Sequence, residues 1–221
     1  MNCEQIALEE LHVERFQLKE VLKILLHSII FQRALGECRL RDVDSELFDI
    51  SYVRCDSRLV EARVEEHAEA FSSAIERGAR VSLAFFERRA RQAAFGLFRS
   101  EERVVWERWT IPLVVVPNFA QLHRHMGGAQ MPPGAHGAGR STEADSQDEE
   151  TRRRQASLEA VLRRRIEFIL TVASGRREHI PPADGLGGEA LWFEISTDAD
   201  SWSGLDLLKQ LLSSPPQLGS G

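Results

Sequence analysis

Two runs with strand-like alternation of apolar and polar positions frame the middle of the chain, residues 81–116, with a polar, arginine-rich segment between them. In the first run Val81, Leu83 and Phe85 alternate with Ser82, Ala84 and Phe86, and the return run covers 104–116, which puts Trp106 and Trp109 on opposite faces. Pro112 has no N–H to donate, so it belongs at an edge, at a bulge or past the end of regular pairing. Between the runs lies a small apolar island, residues 94–98, AFGLF. Large apolar groups at the tip of a hairpin need either a groove on their own domain or a partner's pocket, and Phe95, Leu97 and Phe98 are assigned to a partner.

The rest of the chain shows three helical patterns and several strand patterns. Residues 6–13 alternate loosely, as in a short strand with a bulge or register change. In 16–35, Leu18, Val21, Leu22, Leu25 and Ile29 recur at three and four while Ile24, Leu26, Ile30 and Phe31 widen the arc, which predicts a largely buried helix ending near Gly36. Residues 47–55 place Phe48, Ile50 and Tyr52 on one face of a strand. Asp56 or Ser57 then caps a second helix to about Arg77, with Val60, Val64, His67, Phe71 and Ile75 as its stripe. A third helix, about 151–174, carries Leu158, Val161, Leu162, Ile166, Ile169 and Val172, and a late strand holds Leu191, Phe193 and Ile195. Leu205, Leu208, Leu211 and Leu212 have helical spacing before the end frays.

Composition turns this pattern into a domain plan. Residues 117–150 are rich in Gly, Pro, Ala and polar groups without apolar period, so they read as a flexible linker inserted in one domain, 1–116 plus 151–213, followed by a disordered tail, 214–221. At 43% hydrophobic, 221 residues supply one substantial core and no need for two. A net charge of -6 gives no reason to expect nucleic acid. Cys3, Cys38 and Cys55 form no CxxC pair, which fits a reducing compartment, and the acidic N-terminus and the lack of any run near the roughly 18 apolar residues of a span point to an intracellular protein without a membrane segment.

Enzymatic chemistry is nearly absent. Gly134, Gly139, Arg140 and Ser141 spell GxxxxGRS, one residue from a phosphate-binding loop, but the preceding strand is missing, Pro132 and Pro133 intervene and an acidic run follows. His123 and His125 lack the Cys or carboxylate cluster that would complete a metal site. His27 and His67 fit packed or hydrogen-bonded histidines, and no nucleophile with a matching base is visible. The arginine clusters 152–154 and 163–165 suit an acidic partner, phosphates or water, and a solvated face offset by Glu159 and Glu167 is the default.

Several spellings taken together, MNC at the start, VLKILLHSIIFQRALG, ELFDISYVRC, SLAFFE and VVWERW around the tip, and HIPP before the last strand, resemble the autophagy-related protein 101 family of HORMA-domain proteins in its plant and algal form. The resemblance implies an α+β, HORMA-like fold: three helices packed on a mostly antiparallel β-sheet with a protruding hairpin finger. It implies a non-enzymatic adaptor without cofactor or metal, cytoplasmic and at the phagophore assembly site, which pairs with the HORMA domain of autophagy-related protein 13. It further implies a Trp-Phe finger that recruits downstream autophagy factors. By position the finger falls on 94–98, where no tryptophan occurs and Phe95, Gly96, Leu97 and Phe98 stand instead. By analogy with HORMA dimers the third helix is the candidate pairing face, with Arg154, Arg163 and Arg164 exposed on it. The alternatives are a HORMA peptide-binding adaptor of another pathway and a nucleotide-binding enzyme using Gly139, Arg140 and Ser141.

Overall fold

The computed structural model describes residues 3–34, 39–75, 78–92, 99–117, 140–182 and 192–197. Its organising element is helix α1, Leu18–Arg33, entered through a 3-10 turn at Arg15–Gln17. Leu18, Val21, Leu22, Ile24, Leu25, Leu26, Ile29 and Ile30 are all at most 1% exposed, so the wide apolar arc is buried nearly all round. It is covered by α2, Arg58–Ala74, by α3, Arg140–Gly175, and by strand β4, Ser51–Cys55.

The main sheet is built on the hairpin of β5, Gly78–Gln92, and β6, Arg99–Val116, with β7, Phe193–Thr197, antiparallel to the outer side of β5. On the other side of β6 lie β1, Glu4–Ala7, and β2, Leu11–Glu14, both parallel to it. A second, two-stranded sheet pairs β3, Leu40–Asp44, antiparallel with β4. Among the described residues, three helices with a mostly antiparallel sheet make the α+β class that the sequence implies.

The loose alternation of residues 6–13 resolves into a register change. Ala7 pairs with Thr110 but Leu11 pairs with Leu113, so one extra residue is taken up on the β1–β2 side. Pro112 falls in that interruption, paired with Arg80 of β5, where a residue without an N–H disturbs least. A second irregularity corrects the expected facing of the tryptophans. Phe85 pairs with Glu107 and Phe86 with Val105, leaving Trp106 as the extra residue of a bulge. That bulge brings Trp106 and Trp109 into one core cluster instead of onto opposite faces.

Other boundaries shift for local reasons. Strand pairing begins only at Ser51, because the Ser45 hydroxyl accepts from the backbone of Leu47 and Phe48 and bends the chain there. Phe48, Ile50 and Tyr52 are nevertheless buried together. Ser57 is the cap of α2, accepting from Val60 N at 3.5 Å, and Ala68 rather than half-buried His67 completes the buried stripe with Val60, Val64 and Phe71. Helix α3 starts at Arg140, well before the expected 151, and its early turns carry the i,i+4 ion pairs Glu149 to Arg153 and Glu150 to Arg154. Gly36, Leu191 and the leucines of 205–212 lie outside the described residues.

One buried side chain makes stability depend on pH. His27 of α1, 2% exposed, stacks on Tyr52 with ring centroids 6.0 Å apart. Burial, with Arg54 adding repulsion, pushes its pKa down from 6.5 to about 4. Burial likewise pushes Tyr52 up to about 12. The unfolded chain therefore binds a proton at His27 between about pH 4 and 6.5 and the native chain does not, so this contribution is complete above pH 6.5 and is lost as pH falls toward 4. The loss is expected to reach at most about 3 kcal/mol. Urea titrations of wild type and His27→Phe at pH 7 and pH 4.5 measure it: the wild type should lose more than the variant, and equal losses would refute the assignment.

Candidate protein-interaction surfaces

Among the described residues the hairpin outruns the sheet that supports it. Pairing to β7 ends at Phe85 with Phe193, and pairing to β1 begins at Glu107 with Glu4. Beyond these limits residues 86–92 of β5 pair with 99–105 of β6 as a two-stranded ribbon. At about 3.3 Å per residue it extends roughly 20 Å past the supporting strands. Across its end, Gln92 pairs with Arg99, so the intervening residues 93–98 make the connection. Phe95, Leu97 and Phe98 lie in that connection, outside the described residues.

A two-stranded ribbon is marginal alone, so its root matters. Arg103 of β6 stands 4.0 Å over the ring of Phe86, whose ring centroid is 6.0 Å from that of Trp192. Arg88 stands 3.8 Å over the other aromatic, Trp192, and Arg103 also pairs with Glu194 at 2.5 Å. Each cation–π contact contributes about 0.5–1 kcal/mol where solvent reaches it. Alternating charged and aromatic groups thus lock the root of the ribbon to β7. None of this was legible in the sequence, because Trp192 meets Phe86 only through the pairing of β5 with β7.

Helix α3 offers a second surface. Leu158, Leu162, Ile169 and Ala173 face the core, while Phe168 and Leu170, on the two flanks of that stripe, are 41% and 43% exposed. The predicted pairing arginines divide there. Arg163 donates to the backbone oxygen of Asp49 and lies 3.3 Å from its carboxylate, while Glu159 accepts from Asp49 N at 3.1 Å. Arg165 reaches Glu9 at 2.5 Å. These groups brace α3 against neighbouring loops instead of forming a purely solvated face. Arg154 pairs with Glu150 along the helix. Arg164 is exposed, one turn before Phe168.

Beneath both surfaces lies a buried polar node that sequence reasoning missed. Arg33 and Glu107 are each 0% exposed, and Arg33 Nε donates to both carboxylate oxygens at 2.8 and 2.9 Å. Trp109 Nε1 donates to Oε1 at 2.5 Å, and His179 Nε2 lies 2.5 Å from Oε2. The two terminal nitrogens of Arg33 donate to the carbonyls of Ala173 and Arg176, at 2.8 and 3.2 Å, the C-terminal end of α3. One guanidinium and one carboxylate thereby tie α1, β6, α3 and the HIPP segment together, with their donors and acceptors matched. The available signals were a charge on the apolar arc of α1, at Arg33 after Ile29 and Ile30, and Glu107 two residues from Trp109 on the same strand.

Among the described residues no group of three or more His, Cys, Asp and Glu is placed to hold a metal ion, and no helix is long and apolar enough to cross a membrane. Of the phosphate-loop-like spelling, Gly134 and Gly139 lie outside the described residues, as do His123 and His125, while Arg140 and Ser141 open α3. Cys3 is half-buried and Cys55 is buried.

What the geometry defines is an α+β scaffold with a long hairpin and a braced third helix, organised for presenting surface. The chain belongs to the autophagy-related protein 101 family, whose family model matches residues 10–185. It is 35% identical to Autophagy-related protein 101 of Arabidopsis thaliana over 231 aligned positions, covering 99% of this chain and all of that protein. Autophagy-related protein 101 of Homo sapiens is 26% identical over 144 positions, 57% of this chain and 64% of the human one. That of Xenopus tropicalis is 27% identical over 134 positions, 52% and 59%.

Proposed function

We propose that the protein is a non-enzymatic adaptor subunit of the autophagy-initiation kinase complex, acting in the cytoplasm at the phagophore assembly site. It pairs with and stabilises the HORMA domain of autophagy-related protein 13, and recruits downstream factors for autophagosome formation through Phe95, Leu97 and Phe98. Family membership supports the pathway. The observation that supports the recruiting role is the ribbon of residues 86–92 and 99–105, which extends past the supporting strands and is rooted by Arg88, Arg103, Phe86 and Trp192. The chain forms one domain, 1–116 with 151–213, and α3 lengthens its second part back to Arg140.

Pairing is assigned to the outer side of α3. Arg164 and Phe168 are both exposed, one turn apart, and are of the residue types that dominate interface energetics, whereas Arg163 and Arg154 already serve contacts within the chain. Arg164→Glu combined with Phe168→Asp is therefore expected to weaken pairing at least about 30-fold, roughly 2 kcal/mol, without lowering the melting temperature. Analytical ultracentrifugation of the variant with the partner domain reads this directly. Undiminished pairing would move the interface elsewhere.

A further inference from the structure

We propose that Ser157 is a phosphoacceptor for a basophilic protein kinase, and that its phosphate reorganises the charge on the outer side of α3. The sequence around it reads Arg152, Arg153, Arg154, Gln155, Ala156, Ser157, Leu158. This puts arginines three and five residues before a hydroxyl and an apolar residue directly after it. Kinases with acidic subsites on the N-terminal side of the acceptor and an apolar pocket after it select that arrangement by charge.

The structure makes the site reachable. Ser157 is exposed, and from Glu149 to Ser157 no side chain is buried; Leu158, at 8% exposure, is the first that is. The stretch is held to the body by Gln155, whose Nε2 donates to Leu47 O at 2.5 Å. A stretch of helix with so little buried opens at low cost, so a kinase can take residues 152–158 in extended form with Leu158 as the one core side chain drawn out, while Leu162, Ile169 and Ala173 remain packed. Chemically, Ser157 Oγ attacks the γ-phosphorus of ATP, the bond to the β,γ-bridging oxygen breaks, ADP leaves with its electron pair, and the hydroxyl proton passes to the kinase's base.

Once the helix re-forms, the new group has receivers in place. Ser157, Arg153, Arg154, Glu149 and Glu150 line one surface hollow. Arg153 and Arg154 lie four and three positions before Ser157 on the same helical face, and in the unmodified chain they pair with Glu149 and Glu150. A phosphate of charge near -2 competes for both arginines and releases the two glutamates. A charge-balanced patch thereby becomes acidic two turns before Arg164. If α3 is the pairing face proposed above, on which this consequence rests, phosphorylation sets pairing strength.

The full chain is incubated with ATP and a purified kinase domain of the protein kinase B type, and phosphate is located by mass spectrometry. The expected result is incorporation at Ser157, lost in Ser157→Ala and slowed about tenfold or more in Arg154→Gln, whose folding is checked by circular dichroism. Undiminished incorporation in Ser157→Ala, or equal rates for wild type and Arg154→Gln, would overturn the assignment. Phosphorylated and unmodified chains are then titrated against the partner HORMA domain. Altered affinity supports the regulatory consequence and equal affinity refutes it. Failure of the unmodified chain to bind counts against the pairing proposal alone, since the acceptor assignment stands on the incorporation assay.

Discussion

Replacing Arg33 by methionine is expected to destabilise the fold by about 3–5 kcal/mol, because it leaves the Glu107 carboxylate charged and without its cation in a fully buried site. That is a large share of the about 5–15 kcal/mol that holds an ordinary domain together. The double replacement Arg33→Met with Glu107→Leu should recover much of the loss, since removing both charges also removes their desolvation penalty. Trp109 Nε1 and His179 would then lack their acceptor, so recovery should stop short of wild type. Urea denaturation of the three proteins measures this: the single variant should have the lowest midpoint. A single variant as stable as wild type would mean that the node contributes nothing to holding α1, β6 and the end of α3 together.

The second large effect lies at the hairpin. Phe95→Ala combined with Phe98→Ala is expected to leave folding and partner pairing intact while lowering affinity for the recruited factor more than about 100-fold, since each phenylalanine buried in a partner's pocket contributes roughly 1.5–3 kcal/mol. The ribbon explains why folding should survive. Its root contacts, Arg103 over Phe86 and Arg88 over Trp192, are made by residues several positions away from the connection. Circular dichroism and a pull-down with the recruited factor separate the two effects. Loss of folded signal would show that the apolar island belongs to the core.

These two tests also mark where sequence was and was not informative. The helices α1 and α2, the core stripe of α3 and the β5–β6 hairpin follow from periodicity, because each is a local pattern with one face dictated by burial. Strand β3 escaped because Leu40–Asp44 is almost wholly exposed and polar, and becomes a strand only by pairing with β4. The bulge at Trp106 escaped because an alternation rule has no term for an extra residue. The Arg33 to Glu107 pair spans 74 positions and is invisible to any local reading. For the candidate surfaces, periodicity identified the strands that carry the ribbon and the arginines of α3. It could not show that Arg163 and Arg165 are engaged with Asp49 and Glu9, because those partners come from distant loops.

The most direct test of the adaptor reading is calorimetric titration of this protein with the HORMA domain of autophagy-related protein 13 from the same organism. Tight one-to-one binding, equal for wild type and the Phe95→Ala, Phe98→Ala variant, is the expected result and separates the pairing face from the hairpin tip. Absence of binding by the well-folded wild type would contradict the proposed pairing and leave the chain with its family and fold but without this partner.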